Sequence, residues 1–402
     1  MRRGTAAAVF SAVLAAAFAG AARAQLPFDG KTGWRTAPIA QAWSFGCCSN
    51  DSSAASLKSA SEFTIPLSGA VAFGKSVLLD AYVGYVVGTA STRASGSTPS
   101  QTVRVNGLTD MTVRGSLKLH GDDLRLTVGL NLPTGKTDLD SSQFAAMSVL
   151  ASPVLNAASP VLGSGFSATA GVVGAKRIGA WAWGAGASYQ YRAEYTPFQA
   201  AALGLGGTVS NVTLAPGSAV RLSVGGDGLV GQGAMAFSLA ATIYTQDQLQ
   251  QTLPGDTLLV TKVTLGPMFQ GEWRWRLSVP AFRSLDVWAY DRYVSRYQNA
   301  QGQQVAGTNG NFFYFGANGL TTLDPSRALV TQVHGRWLTG LSIDNTLATA
   351  ATLAFGAGIG MAFDTGGLTL TPMLGGEYGR INSGLQTFPV TQLQLAFTVA
   401  GR

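Results

Sequence analysis

The sequence predicts an all-β protein: a transmembrane, antiparallel up-and-down β-barrel of about 14 strands, with 12 to 16 as the range. Three observations lead there. Apolar and polar residues alternate with period two in segment after segment. Only 12% of the residues are charged, against about 25% in a soluble domain. And no stretch beyond the N-terminal segment supplies the roughly 20 consecutive apolar residues that a membrane-spanning helix needs. The nearest, Leu347 to Phe363, is interrupted by Thr349, Thr352, Gly356, Gly358 and Gly360 and reads as a glycine-rich strand. Without spanning helices, only a closed barrel satisfies the backbone polar groups inside a bilayer.

Residues 1–24 read as a signal peptide. Arg2 and Arg3 begin it, Ala6 to Gly20 is apolar, and Ala21-Ala-Arg-Ala24 is a small-residue exit. Removing it takes Arg2, Arg3 and Arg23, so the net charge falls from +7 to 24 − 20 = +4. Residues 25–58 form an N-terminal segment that includes a first strand near 36–46, needed to bring both termini to one side. Residues 59–402 are the barrel. Adjacent Cys47 and Cys48 suit a free or mutually bonded surface pair better than a metal site, which needs more ligands.

The alternation is clearest in Leu124, Leu126, Val128, Leu130 and Leu132, which oppose Arg125, Thr127, Gly129 and Asn131. Met111, Val113, Leu117 and Leu119 likewise oppose Thr112, Arg114, Ser116 and Lys118. On a strand this gives each segment one apolar and one polar face. Further strands centre near residues 67, 83, 171, 187, 224, 239, 268, 290, 357, 374 and 394. The stretch 311–341 reads either as an outer loop or as an extra hairpin, the second making 16 strands. Short turns at 73–76, 120–123, 178–180 and 230–233 alternate with long connections at 92–101, 138–163, 197–217, 247–257 and 299–324. Outer-membrane barrels have short periplasmic turns and long outer loops.

Aromatic residues fall near the ends of the apolar faces: Trp181, Trp183, Tyr191, Tyr195, Trp273 and Trp275. Such girdles mark the membrane–water interface. The polar faces lean basic. Arg114, Lys118, Arg125, Arg192, Arg221, Lys262, Arg274 and Arg276 are expected to line the lumen, with Asp110 and Glu272 as opposing carboxylates. An open pore so lined favours anions; the alternative is an ion-pair network that stiffens the wall. The loop 138–163 is unusually apolar. It holds Phe144, Met147 and Leu150 and the repeat Ala151-Ser-Pro-Val-Leu155 and Ala158-Ser-Pro-Val-Leu162. It reads either as a loop packed on the barrel mouth or as a greasy entrance for an apolar solute.

Catalysis finds little support. The two histidines, His120 and His334, lie in no recognisable catalytic motif. No phosphate loop, dinucleotide fingerprint or zinc spacing occurs, so neither a cofactor nor a metal is expected. The basic residues are dispersed rather than clustered, which argues against nucleic acid.

Gly107-Leu-Thr-Asp-Met-Thr-Val-Arg114 followed by Leu124-Arg-Leu-Thr-Val-Gly-Leu-Asn-Leu-Pro-Thr-Gly135 resembles a hairpin of the outer-membrane barrels of the MetA pathway of phenol degradation, which look related to FadL-like transporter barrels. Leu67 to Ser76 resembles the same family's strand before a periplasmic turn. The resemblance covers residues 60–200 best, and no hatch-like N-terminal plug is evident in 25–58. It implies passive uptake of small hydrophobic or aromatic molecules. The expectation is therefore a porin-like, non-enzymatic channel in the outer membrane of a Gram-negative bacterium. Its partners are the lipid bilayer, a small-molecule solute and the outer-membrane assembly machinery. The alternatives are a general anion-leaning porin and a closed barrel with a structural or surface-binding role.

Overall fold

A strand in lipid must find hydrogen-bond partners on both edges, and the chain meets this demand by closing on itself. The computed structural model describes residues 32–46, 56–93, 101–119, 123–159, 162–203, 209, 211–253, 255, 257–305, 307–340, 351–382 and 387–401. Residues 1–24, expected to be a signal peptide, both cysteines and His120 lie outside these residues.

The first traverse is split by Ala37-Pro38 into β1 (Gly33–Thr36) and β2 (Ile39–Phe45). Proline has no N–H to give the ladder. The long strands β3 (Ser56–Phe73) and β4 (Val77–Arg93) follow. The next traverse is also split, into β5 (Gln101–Leu108) and β6 (Met111–Leu119), before β7 (Leu124–Leu132). Helix α1 (Ser141–Leu150) lies in the long connection to β8 (Ser167–Ile178), and β9 (Trp181–Arg192) returns. After β10 (Asn211–Ala215) come the wall strands β11 (Ala219–Val230) and β12 (Gly233–Tyr244). The hairpin β13 (Gln246–Leu253) and β14 (Thr257–Thr264) precedes wall strands β15 (Met268–Val279) and β16 (Phe282–Val294). After the short β17 (Gln298–Asn299), the wall is completed by β18 (Gly310–Asp324), β19 (Arg327–Gly340), β20 (Ala351–Asp364), β21 (Leu368–Asn382) and β22 (Thr387–Gly401).

Every neighbouring pair in the wall is antiparallel, and β22 closes the ring by pairing with β1 and β2, Trp34 opposite Gly401 and Ile39 opposite Ala396. Counting each split traverse once gives 16 strands among the described residues, not about 14. The two added strands are β18 and β19, so the ambiguous stretch is, over its described residues 311–340, a wall hairpin, and the outer loop expected at 299–324 ends at Gly310. The remaining strands β10, β13, β14 and β17 form a separate four-stranded sheet above the wall. The expected loop at 247–257 is largely the hairpin of this sheet.

The tight turns lie at one end, where Gly179 and Gly231 take the left-handed conformation (φ +63° and +59°) that a side chain resists. The outer face between the ends is a belt of exposed apolar side chains, among them Leu67, Val128, Leu239, Phe355, Ile359 and Leu395. In water this surface is untenable; in a bilayer it is the required one. Trp181 and Trp183 meet Phe237 at 6.1 and 5.5 Å. Trp273 lies beside Phe237 and Ala289 in register, with Trp275 one step nearer the same turns. These four tryptophans therefore share the short-turn end of the outer face, and Tyr191 sits at the opposite end of β9. Tyr195 departs from the expectation. It lies beyond β9, bridges to Leu214 on β10 and packs on the buried cluster of the outer loops.

The belt gives a direct test. Leu395→Arg, at the middle of β22 and 57% exposed, should cost about 2–4 kcal/mol of folding free energy in lipid vesicles. Thr398→Arg, on the inward face of the same strand, should cost distinctly less. Equal losses in denaturant titrations would place the belt in water.

Candidate functional site: the lumen and its inner loop

The inward face changes character along the barrel axis. Near the short turns it is polar, carrying Asp80, Arg114, Lys118, Arg125, Asp227, Arg274 and Arg276. Near the long loops it mixes buried polar side chains, among them Gln41, Glu62, Arg336 and Glu377, with a large apolar share. Trp43, Val86, Val105, Phe312, Leu338 and Ile381 point inward from six strands and are buried. The connection between β7 and β8 folds onto this half. Its helix α1 is capped by Asp140, whose side chain accepts the Gln143 N–H at 2.9 Å, and it rests against β3, β4 and β5. Leu150 reaches Gly88 so closely that a Cβ there would lie 2.2 Å from the leucine Cδ1. Gly88 is thus a socket for the helix.

Beyond the helix, the first copy of the Ala-Ser-Pro-Val-Leu repeat crosses the inner wall. Arg336 on β19 donates to the Pro153 carbonyl at 3.4 Å and to that of Val154, while its Nε spans both carboxylate oxygens of Glu377 at 2.9 Å. His334 lies 3.3 Å from the same carboxylate. At the other end, the Ala158 N–H donates to Gln41 Oε1 at 2.9 Å and the Ser159 N–H to Glu62 Oε1 at 2.7 Å. Both carboxylate-bearing anchors are buried, as is Arg336. A buried charge is tolerable only when paired, so these contacts fix the segment firmly. Val154, Leu155 and Leu162 then join Trp43, Phe198, Leu214, Leu249 and Leu338 in one buried apolar cluster. The described parts of the long loops thus pack into the outer mouth.

The residues expected from sequence meet different fates. Arg114, Lys118, Arg125, Arg192, Arg221, Glu272, Arg274 and Arg276 lie on inward-facing registers. Several of these cations are engaged: Arg114 pairs with Asp80 at 3.0 Å, Arg192 with Asp247 at 3.4 Å, and Arg274 and Arg276 with Asp286 at 3.0 and 2.9 Å. Arg221 donates to Gln270. Lys118 and Arg125 are cross-strand neighbours. Lys262 is a correction. It sits on β14 of the upper sheet, outside the wall, because that soluble-type hairpin alternates as a wall strand does.

Asp110 is another correction. It sits at the break between β5 and β6, buried, and works as a clasp. It accepts from Gly135 N at 3.0 Å, Asn131 Nδ2 at 2.8 Å and Ser164 N at 2.6 Å, tying both ends of the inner loop to the wall. For Phe144, Met147 and Leu150, of the two readings of this loop the packed one agrees with the structure, and a substrate-entry patch does not. Met147 and Leu150 are buried, and Phe144 packs on Phe198 with ring centroids 4.8 Å apart. They form the interior of the cap rather than an exposed patch. Arg336, Glu377, Glu62, Gln41 and Trp43 were not singled out by sequence reasoning. The one available signal was an isolated pair of polar residues, His334 and Arg336, within an otherwise ambiguous hairpin.

A closed barrel with an apolar outer belt and its long loops at one end is an outer-membrane protein. No family model matches the sequence, and no curated protein matches it. Among solved structures, Pseudomonas putida OprB at high pH superposes with a TM-score of 0.46 and 11% identity over 92% of this chain and 94% of that chain. The TodX ΔS2S3 mutant, a monoaromatic hydrocarbon channel, gives 0.40 and 8% over 92% and 90%. An outer membrane channel from Pseudomonas putida F1 gives 0.34 and 12% over 95% and 98%. None of these superpositions reaches a TM-score of 0.5, so the functional reading stands on this chain's own residues.

Arg336→Ala should destabilise the barrel by about 3–5 kcal/mol, because Glu377 is left buried without its main partner, and should raise single-channel conductance by loosening the inner segment. Adding Glu377→Ala should recover much of the stability and leave the conductance high. A second expectation concerns Asp247, in the upper sheet. Burial raises its carboxyl to about 6, against the opposing pull of Arg192 and the Gly217 N–H. The folded state therefore holds this proton more tightly than the unfolded chain. The stabilisation is complete below the ordinary carboxylate range and is lost as pH rises from about 4 to about 6. Hydrogen exchange of the β13 amides, corrected for intrinsic rates, should show that loss, and Asp247→Asn should remove it.

Proposed function

We propose that the protein is a non-enzymatic outer-membrane channel for passive uptake of small hydrophobic or aromatic molecules. The observation that carries this reading is the large buried apolar cluster in the outer half of the lumen. A general diffusion pore needs a wet, continuous passage, whereas here inward residues such as Trp43, Val105, Phe312 and Leu338 meet an apolar inner loop. A greasy solute loses little on leaving water for such surroundings, while a hydrated ion loses its shell. The pairing of Arg114, Arg192, Arg274 and Arg276 with carboxylates favours wall-stiffening ion pairs over a strongly anion-selective field. The Gly107–Gly135 resemblance points to the same class of solute. In this reading the inner loop is the selective element, and solute passes as it yields.

The reading is tested in cells whose outer membrane carries the barrel. An apolar fluorescent naphthylamine, normally held back by that membrane, should enter several-fold faster than in cells with empty vector. Small sugars should swell liposomes containing the refolded protein only slowly. Trp43→Gln should slow naphthylamine uptake without changing barrel assembly. Rapid sugar passage together with unaltered naphthylamine uptake would overturn the proposal.

A further inference from the structure

Beside the short turns the inner wall borders a cavity of about 590 Å³ lined by Arg177, Ala182, Asp227, Leu229, Ala236, Arg274 and Arg276, among others. Five of these stand in one row. Arg177 on β8, Ala182 on β9, Asp227 on β11, Ala236 on β12 and Arg274 on β15 are successive cross-strand partners. The row reads cation, methyl, anion, methyl, cation. Arg274 is held by Asp286 at 3.0 Å, and Arg276 by the same carboxylate at 2.9 Å. Arg177 and Asp227 are exposed to the cavity and, among the described residues, form no ion pair with each other. Neighbouring strands lie about 4.8 Å apart, so these two charges spring from positions about 10 Å apart along the wall. The alanine between them leaves the space open.

We infer that this row is a binding site for a small zwitterion, an α-amino acid being its simplest member, whose carboxylate meets Arg177 and whose ammonium group meets Asp227. A simple anion lying in the row would face Asp227, and a simple cation would face three guanidinium groups. A molecule with both charges is complementary to both. Carboxylate recognition by a guanidinium is directional and charge-assisted, and the methyl groups of Ala182 and Ala236 with the exposed Leu229 give its side chain an apolar rest. The cavity adjoins the periplasmic turns, so the site is reachable from the periplasm without passing the packed outer half. The inference goes beyond the proposed uptake of apolar solutes and does not depend on it.

The test is a titration of the refolded full-length barrel in detergent micelles, followed by saturation-transfer NMR or calorimetry, with three probes sharing one aromatic body. These are phenylalanine, 3-phenylpropionate, which lacks the ammonium, and 2-phenylethylamine, which lacks the carboxylate. Phenylalanine is expected to bind at least tenfold tighter than either. Arg177→Gln should weaken phenylalanine about tenfold, and Asp227→Asn should make 3-phenylpropionate bind as well as phenylalanine. Both positions are exposed to water, and retained heat-modifiable gel mobility confirms that each variant is folded. Equal affinity for all three probes would overturn the inference. So would absence of phenylalanine binding at millimolar concentration, or discrimination unchanged in both variants. The naphthylamine assay is separate: it can fail with this site intact, and the reverse holds as well.

Discussion

A bilayer offers no hydrogen-bond partner to a peptide group, and that prohibition shapes everything else in this molecule. Each strand must be bonded on both edges, so the sheet has to close, and β22 returns to β1 and β2. Closure creates two surfaces with opposite requirements. The outer must be apolar and the inner is free to be anything. The chain uses that freedom by dividing its interior, with water-exposed ion pairs at the periplasmic end and an apolar cluster pinned by buried ion pairs at the outer end.

The cluster also explains how a polar clasp and a greasy loop coexist. Apolar contact alone does not specify how a loop of small and branched residues should lie. The buried Arg336–Glu377 pair and the Gln41 and Glu62 side chains supply direction, because each has geometry to satisfy. Asp110 does the same at the base of the loop, where β5 and β6 part. Burying such groups is costly, and their contribution is to fix one arrangement of the loop among many that apolar contact alone would allow.

The barrel itself was legible from period-two patterning because lipid and water select opposite side chains along most of each strand. Where both faces are apolar, the period vanishes. Phe312, Tyr314 and Leu338 face inward, yet their outward neighbours Phe313, Phe315 and Trp337 are apolar as well. That is why β18 and β19 were ambiguous and why the strand count fell short. Lys262 and Asp110 show the converse limit. Alternation persists in a sheet that stands off the wall, and a strand break changes what an inward residue does. Neither the upper sheet nor the break has a local signature, since both depend on contacts with distant segments. Arg336 was hidden for the same reason: its partners at Pro153 and Val154 lie more than 180 positions away.

The inner loop runs from β19 to β3, and between those two strands lies the junction of β22 with β1 and β2. Every other strand neighbour in the wall is joined by covalent chain. This one junction is held without a direct chain connection, by its ladder of hydrogen bonds and by side-chain contacts such as Gln41 Nε2 with Gln394 Oε1 at 3.4 Å, because the first and last described strands meet there. By gripping both sides of it, the segment from Val154 to Ser159 serves as a staple across the barrel's seam. Both grips are made in the closed ring, so the inner loop and the seam hold each other in place.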